Sequence, residues 1–328
     1  MKPTTVKLWR ISLGVAISVA AIVLVLRRTS LSAIGDSLAS VYWPWLTALA
    51  ASKIVVLGIK TERWDKVLRA VEEKRHIRIF NSLSIGYLGN LLLPLKLGEL
   101  MRVAVFRRHN PRLSFGAVLA TVVAERVIDA LVLSLMVVVA LPFASVPTWV
   151  GRGAALTALI LLAAIGAAIL TSRFAGRFNP ADYGRAVNRI HRLFSTLAEG
   201  ASVLRRPRFL LPTIVWTVLA WMGEAVGLWC AFRALGLGLG FAPALVVTLL
   251  FAVGQALPSA PVQLGTHQAM SVFFLAPFGV RAADAVSLSV ILQGTNLVVF
   301  GILGGVAAAR EATFKRLLRE AQRGLPTA

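Results

Sequence analysis

Long apolar runs recur along the whole of this chain, at residues 8–26, 41–59, 79–105, 115–143, 153–170, 209–232, 241–278 and 282–309. A hydrocarbon core about 30 Å thick is crossed by a helix of about 20 residues, and nearly all of these runs reach that length. Backbone amides find no water in lipid, so each run must satisfy its own hydrogen bonds, as a helix does. A β-barrel would show short segments of alternating polarity instead. The expected fold is an all-α polytopic membrane bundle. Composition agrees: 57% of the 328 residues are hydrophobic and 15% charged, against about 45–50% and about 25% in soluble domains.

The net charge of +21 points first to nucleic acid, but its distribution excludes that partner. Lys and Arg concentrate between the apolar runs, at residues 60–78, 102–112, 173–208 and from Arg310 onward, whereas 141–151 holds none and 234–242 only loop residues without charge. Basic loops belong in the cytoplasm. Lys2, Lys7 and Arg10 precede the first run and Arg27 and Arg28 follow it without an A-x-A pattern, so the run is expected to remain as the first membrane helix. Cys230 stands alone, which excludes an internal disulfide and a thiolate metal site.

Tracing the crossings from a cytoplasmic N-terminus meets two anomalies. If residues 79–105 crossed, Arg107, Arg108 and Arg112 would lie outside; Asn90, Pro94 and Gly98 also interrupt that run. Residues 241–278 carry Pro258, Pro261 and Gly265, and the basic tail requires the last run to end inside. Both runs are therefore expected to enter and leave on one face, the first from the cytoplasm and the second from outside. The expected architecture is an inverted-repeat helical bundle with six crossing helices and two re-entrant hairpins. It forms one domain over 1–328, with halves of about 1–150 and 151–309, a cytoplasmic amphipathic segment at 177–207 and a tail at 310–328. Residues 64–78 and 314–323 read as shorter amphipathic pieces, and Gly301 to Gly305 as a G-x-x-x-G helix-packing motif. Inverted repeats with broken helices are a transporter feature.

Ionisable groups at membrane depth are costly and face a cavity or a partner. Three clusters qualify, beside Lys53 and Glu224. In the first, Asn90, Pro94, Lys96, Gly98, Glu99 and Arg102 surround a helix break; Glu99 and Arg102 are three apart and can pair. The surplus of cations there offers a seat for a phosphate or carboxylate headgroup, and an ion-pair staple is the alternative. In the second, Glu125, Arg126 and Asp129 share a helix face, either stapling the first hairpin through Arg102 or Lys96 or relaying a proton. The third is Pro258, Pro261, Gly265, His267 and Gln268, a polar break in an apolar run. His76, His109, His191 and His267 lack metal-ligand spacing and no Walker A sequence is present, so no cofactor is expected.

The pattern N-x-x-x-P-x-[KR]-x-G-E-x-x-R from Asn90 to Arg102, followed by E-R-x-x-D from Glu125 to Asp129, resembles the transmembrane flippase domain of the bacterial lysylphosphatidylglycerol synthase/flippase family. That group includes stand-alone flippase-like proteins, some associated with hopanoid lipids. The resemblance covers nearly the whole chain. A third family pattern, P-x-x-P-G-x-x-G-x-x-E, is matched at Pro258, Pro261 and Gly265, while Val262 replaces its glycine and Gln268 its acid. After Arg310 only a short tail follows, so the resemblance implies transport without aminoacyl transfer.

The expected function is a lipid translocase, or flippase-like permease, in a bacterial inner membrane, with both termini cytoplasmic. It would move a lipid whose anionic or zwitterionic headgroup contacts Lys96, Arg102 and Arg126. A membrane-embedded transferase on a lipid-linked substrate, with Glu99, Glu125 or Asp129 as base, and a non-transporting scaffold are the alternatives. Membrane lipids are the expected partners, with lipid-synthesis enzymes and a second copy of the chain as further candidates.

Overall fold

The computed structural model describes residues 29–72, 78–93, 97–140, 206–255 and 263–323, with the single positions 23, 156 and 159. The expected first helix (apart from Val23), the run at 153–170 (apart from Leu156 and Leu159) and the amphipathic segment up to residue 205 lie outside them. Among the described residues every regular element is helical: α1 (Leu31–Ala39), α2 (Trp43–Val71), α3 (Ile79–Leu92), α4 (Gly98–His109), α5 (Phe115–Ala140), α6 (Pro207–Ala234), α7 (Phe241–Gly254), α8 (Thr266–Leu275), a short 3-10 turn (Ala276–Phe278), and α9 (Ala282–Arg323).

Two described helices, Pro207–Ala234 and Ala282–Ala312, are long and apolar enough to cross a bilayer. A third candidate is α1 with α2, which meet at 89°. Helix α1 was not expected; the Ser30 hydroxyl caps it by accepting from the Ala33 N–H at 3.2 Å. Helix α5 has the length, at 26 residues, but carries the charged groups described below.

Two boundaries and one packing contact differ from the sequence expectation. Residues 60–71 are not a loop and 64–71 not a separate amphipathic piece: both continue α2, because Arg63 and Trp64 are buried rather than solvated. Residues 314–323 continue α9 in one helix. In the third case the glycine that admits close packing is Gly304. A Cβ there would lie 2.5 Å from Leu88 Cβ and 2.7 Å from Ser84 O, whereas at Gly301 or Gly305 it would meet nothing within 4 Å.

Helices α3 and α4 form one tight antiparallel hairpin, closed by glycines. A Cβ on Gly98 would collide with the Gly86 carbonyl oxygen and the Asn90 amide nitrogen, and one on Gly86 would lie 2.8 Å from Arg102 Cβ. Its arms, of 14 and 12 residues, are about 21 and 18 Å long at 1.5 Å per residue, too short to span a bilayer singly. Helices α7 and α8 make a second pair, with the Phe251 and His267 rings stacked at 4.7 Å.

The pairs open at opposite ends of the molecule. Arg78 before α3 and His109 at the end of α4 both reach the Glu311 carboxylate, at 3.0 and 2.6 Å. The α6–α7 loop and the α8–α9 turn instead gather with α1 around Asp284, whose Oδ1 accepts from the Ser37 hydroxyl at 2.8 Å. Asp284 and Glu311 share α9, and the 27 residues from one to the other correspond to about 40 Å, close to a whole bilayer with its interfaces.

Packing relations repeat. Helix α2 crosses α6 closely, with Gly227 against Ser52 and Gly223 against Val56. Around that crossing α3 packs on α9 and α7 on α5; α4 packs on α5 and α8 on α9; α2 meets α3 and α6 meets α7. Exchanging α2 with α6, α3 with α7, α4 with α8 and α5 with α9 turns each of these relations into another. The apolar core follows the same division, one cluster around Trp64 and Phe106 and another around Phe232 and Leu288.

Candidate functional site

Helix α2 presents three cations on one face, Lys53, Lys60 and Arg63, seven and three residues apart. A helix places such positions nearly in line. All three find carboxylates on other helices, because an unpaired charge at this depth costs several kcal/mol.

Arg63 belongs to a closed ring of six alternating charges. Arg63 donates to Asp129 Oδ1 at 2.5 Å and to Glu125 Oε1 at 3.1 Å. Arg102 donates to the other Glu125 oxygen at 2.8 Å and pairs with Glu99 at 2.8 Å. Arg126 closes the ring, bonding Glu99 at 3.2 Å and Asp129 at 3.3 Å. The i,i+3 pairs expected within α4 and α5 are thus present, and Arg102 to Glu125 ties the first hairpin to α5. Trp221 Nε1 also donates to Asp129 at 3.1 Å. The Arg102 guanidinium lies 4.7 Å from the Trp64 ring centroid, and Trp64 Nε1 in turn donates to Thr121 at 3.0 Å. Glu125 is 1% exposed, so the ring's inner side is sealed, whereas Arg126 is half exposed.

Glu224 of α6 sits between the two lysines, accepting from Lys53 at 2.6 Å and Lys60 at 2.7 Å. The Lys60 ammonium also lies 5.3 Å from the centroid of the Tyr87 ring.

A cavity of about 260 Å³ opens over these groups. One wall is ionic: Lys53, Lys60, Arg63 and Arg126 with Glu99, Asp129 and Glu224. The other is neutral and polar, built from Thr248 of α7 and Gln255 just past its end, Gln263 and His267 at α8, and Gln293 and Asn296 of α9. Asn90, beside the break of the first hairpin, joins the two, and its Nδ2 donates to Glu99 at 3.4 Å. Both helix pairs therefore bring their interrupted ends to one chamber.

Of the residues singled out in the sequence, Asn90, Glu99, Arg126, Asp129 and His267 line the chamber. Gly98 closes the hairpin beside it. Arg102 and Glu125 are buried behind the lining, spent on the ring, so Arg102 is not placed to meet a headgroup as expected. Gly265, at φ 80°, starts α8. Gln268 also supports rather than lines: its Oε1 accepts from the Gly265 N–H and its Nε2 donates to Gln293, both at 2.7 Å. Pro94, Lys96, Pro258 and Pro261 lie outside the described residues.

Sequence reasoning noted Lys53 and Glu224 without joining them, and missed Lys60, Arg63, Trp221, Gln293 and Asn296. The signal was available as helical spacing, with 53, 60 and 63 on α2 and Trp221 and Glu224 on α6.

The family model described as Lysylphosphatidylglycerol synthase TM region matches residues 11–304 of the chain. No curated protein and no solved structure matches the chain.

Proposed function

Because this chain belongs to the Lysylphosphatidylglycerol synthase TM region family, a family of membrane proteins related to lipid synthesis and flipping, we propose that it is itself a lipid translocase of the bacterial inner membrane. The observation that carries the proposal is the chamber shared by two interrupted helix pairs that open at opposite ends of α9. A headgroup seated there is within reach of either face once one pair shifts. At about 260 Å³ the chamber lies below the range of about 300–1,000 Å³ that encloses drug-sized ligands. It suits a headgroup whose acyl chains stay in the bilayer.

In this reading the α3–α4 hairpin dips in from the cytoplasm and the α7–α8 pair from the periplasm, with both termini cytoplasmic and six helices crossing. The basic residues Arg78, Arg107, Arg108 and Arg112 at the open end of the first hairpin support that orientation, and the exchangeable packing relations support an inverted repeat. Glu99, Glu125 and Asp129 are each held by two arginines. That pairing favours translocation over transfer chemistry, which needs a carboxylate ready to take a proton.

The test is reconstitution of the purified protein into vesicles carrying a fluorescent lipid reporter read by a leaflet-selective quencher. Protein-containing vesicles should exchange the reporter between leaflets faster than empty ones. Lys60→Gln should slow the exchange by about tenfold or more, because a charge-assisted hydrogen bond contributes about 1.5–3 kcal/mol. Exchange no faster than in empty vesicles, with every headgroup tried, overturns the proposal.

A further inference from the structure

The two interrupted pairs are built from different chemistry. The stretch 79–109, which holds α3 and α4, carries Lys96, Glu99, Arg102, Arg107, Arg108 and His109. The stretch 241–278, which holds α7 and α8, has no Asp, Glu, Lys or Arg at all, and His267 is its one ionisable side chain. The first hairpin can therefore be fastened to the bundle by ion pairs. The second pair has no fixed charge with which to make one.

The contacts follow that division. At the interrupted end of the first hairpin, Arg102 reaches Glu125 of α5 at 2.8 Å and Glu99 reaches Arg126 at 3.2 Å. At its open end, Arg78 and His109 hold Glu311 of α9 at 3.0 and 2.6 Å. Gly98 sets α4 against the α3 backbone, and Gly304 sets α9 against the Ser84 carbonyl. In the second pair the ties from α8 to α9 are neutral: Gln268 Nε2 donates to Gln293 Oε1 at 2.7 Å, and His267 Nδ1 and the Ser289 hydroxyl share a hydrogen bond at 2.7 Å. Charge-assisted hydrogen bonds are roughly twice as strong as neutral ones. Gly254, at the end of α7, meets the side chains of Met270 and Phe274 rather than backbone, and a methionine side chain adapts where backbone does not. A cavity of about 520 Å³ lies beside the turn at 278–281 that follows α8. In that turn Gly279 has φ 74° and open space around it.

We propose that the second pair is the moving part of this site and the first hairpin its fixed wall. Helix α8 swings away from α9, breaking the Gln268–Gln293 and His267–Ser289 bonds, and pivots at Gly254 and Gly279, glycines at element ends that can absorb the change in backbone angle. The amide and imidazole groups it releases exchange one neutral hydrogen bond for another with water, whereas parting Arg102 from Glu125 would strand two buried charges. The ionic wall on α2, α4, α5 and α6 keeps its geometry while the neutral wall moves. Gln268 is then a latch and not a headgroup contact. The motion follows from the asymmetry alone; its role as the gate rests on the translocase reading.

Hydrogen–deuterium exchange of the full chain in detergent reads the motion without requiring transport. Interior amides of α8 should exchange about tenfold or more faster than those of α4, its counterpart in the first hairpin. Two cysteine pairs, each on a Cys230→Ser background, read the role of the motion in vesicles. Gln268→Cys with Gln293→Cys, joined by a reducible bis-methanethiosulfonate linker, should cut leaflet exchange to the level of empty vesicles, and reduction should restore it. Arg78→Cys with Glu311→Cys, joined in the same way, should move lipid as fast as its own reduced form. Equal exchange of α8 and α4 amides, or faster exchange in α4, overturns the proposal. So does leaflet exchange that the Gln268–Gln293 link leaves unchanged, or that the Arg78–Glu311 link alone stops. Faster α8 amides in a protein that moves no lipid would leave the motion standing and remove the translocase reading alone.

Discussion

Glu125 shows most sharply how the charged residues hold one another. It is enclosed and receives hydrogen bonds from Arg63 on one oxygen and Arg102 on the other. Glu125→Gln keeps the shape and removes the charge, leaving two buried guanidinium groups with one partner fewer each. Breaking a buried pair by losing one side costs about 3–5 kcal/mol. The unfolding midpoint of that variant in detergent should fall well below that of Arg126→Gln, whose side chain is half exposed and whose pairs are correspondingly screened. Equal losses would mean that the ring is not buried as described. These groups were legible in the sequence because an ionisable residue in an apolar run must answer to something. Arg63 was not, because a hydropathy trace ends the second span where cations become dense. It does not register that helical spacing returns Lys60 and Arg63 to the inner face.

Among the elements, the α3–α4 hairpin depends on Gly98 more than on any other residue. Its missing side chain lets α4 start directly against the Gly86 carbonyl and the Asn90 amide. Gly98→Ala must push the arms apart and with them Glu99 and Arg102, since backbone atoms cannot yield as a flexible side chain does. Leaflet exchange should fall to the level of empty vesicles and the unfolding midpoint should drop, while Gly301→Ala, facing open space, should leave both nearly unchanged. A Gly98→Ala protein with wild-type stability and exchange contradicts the hairpin's geometry. The helix break was legible from Asn90, Pro94 and Gly98 within one hydrophobic run. The joint hold of Glu311 on Arg78 and His109 was not, because it links residues more than two hundred positions apart and no local pattern announces it. Helix α1 escaped notice because nine residues are too few for hydropathy to separate from a loop.

On the scale of the whole molecule, α9, long and apolar enough to cross a bilayer, runs between an end that gathers Arg78 and His109 and an end that gathers Ser37 and Arg281. Loop charge pointed to two broken helix pairs, since re-entry would keep the basic segments on one side, and the pairs α3–α4 and α7–α8 do open at opposite ends of α9. The chamber between them was not legible, because eight helices contribute to its lining and their relative placement is a property of packing. The central claim is that the two interrupted pairs enter from opposite faces and meet inside. Labelling of single cysteines with a membrane-impermeant maleimide tests it most directly, on a Cys230→Ser background because the native thiol is buried. Arg108→Cys should react only from the cytoplasmic side, and Gly240→Cys and Pro277→Cys only from the periplasmic side. Reaction of Arg108→Cys from the periplasm, or of Gly240→Cys and Pro277→Cys from different sides, would contradict the account.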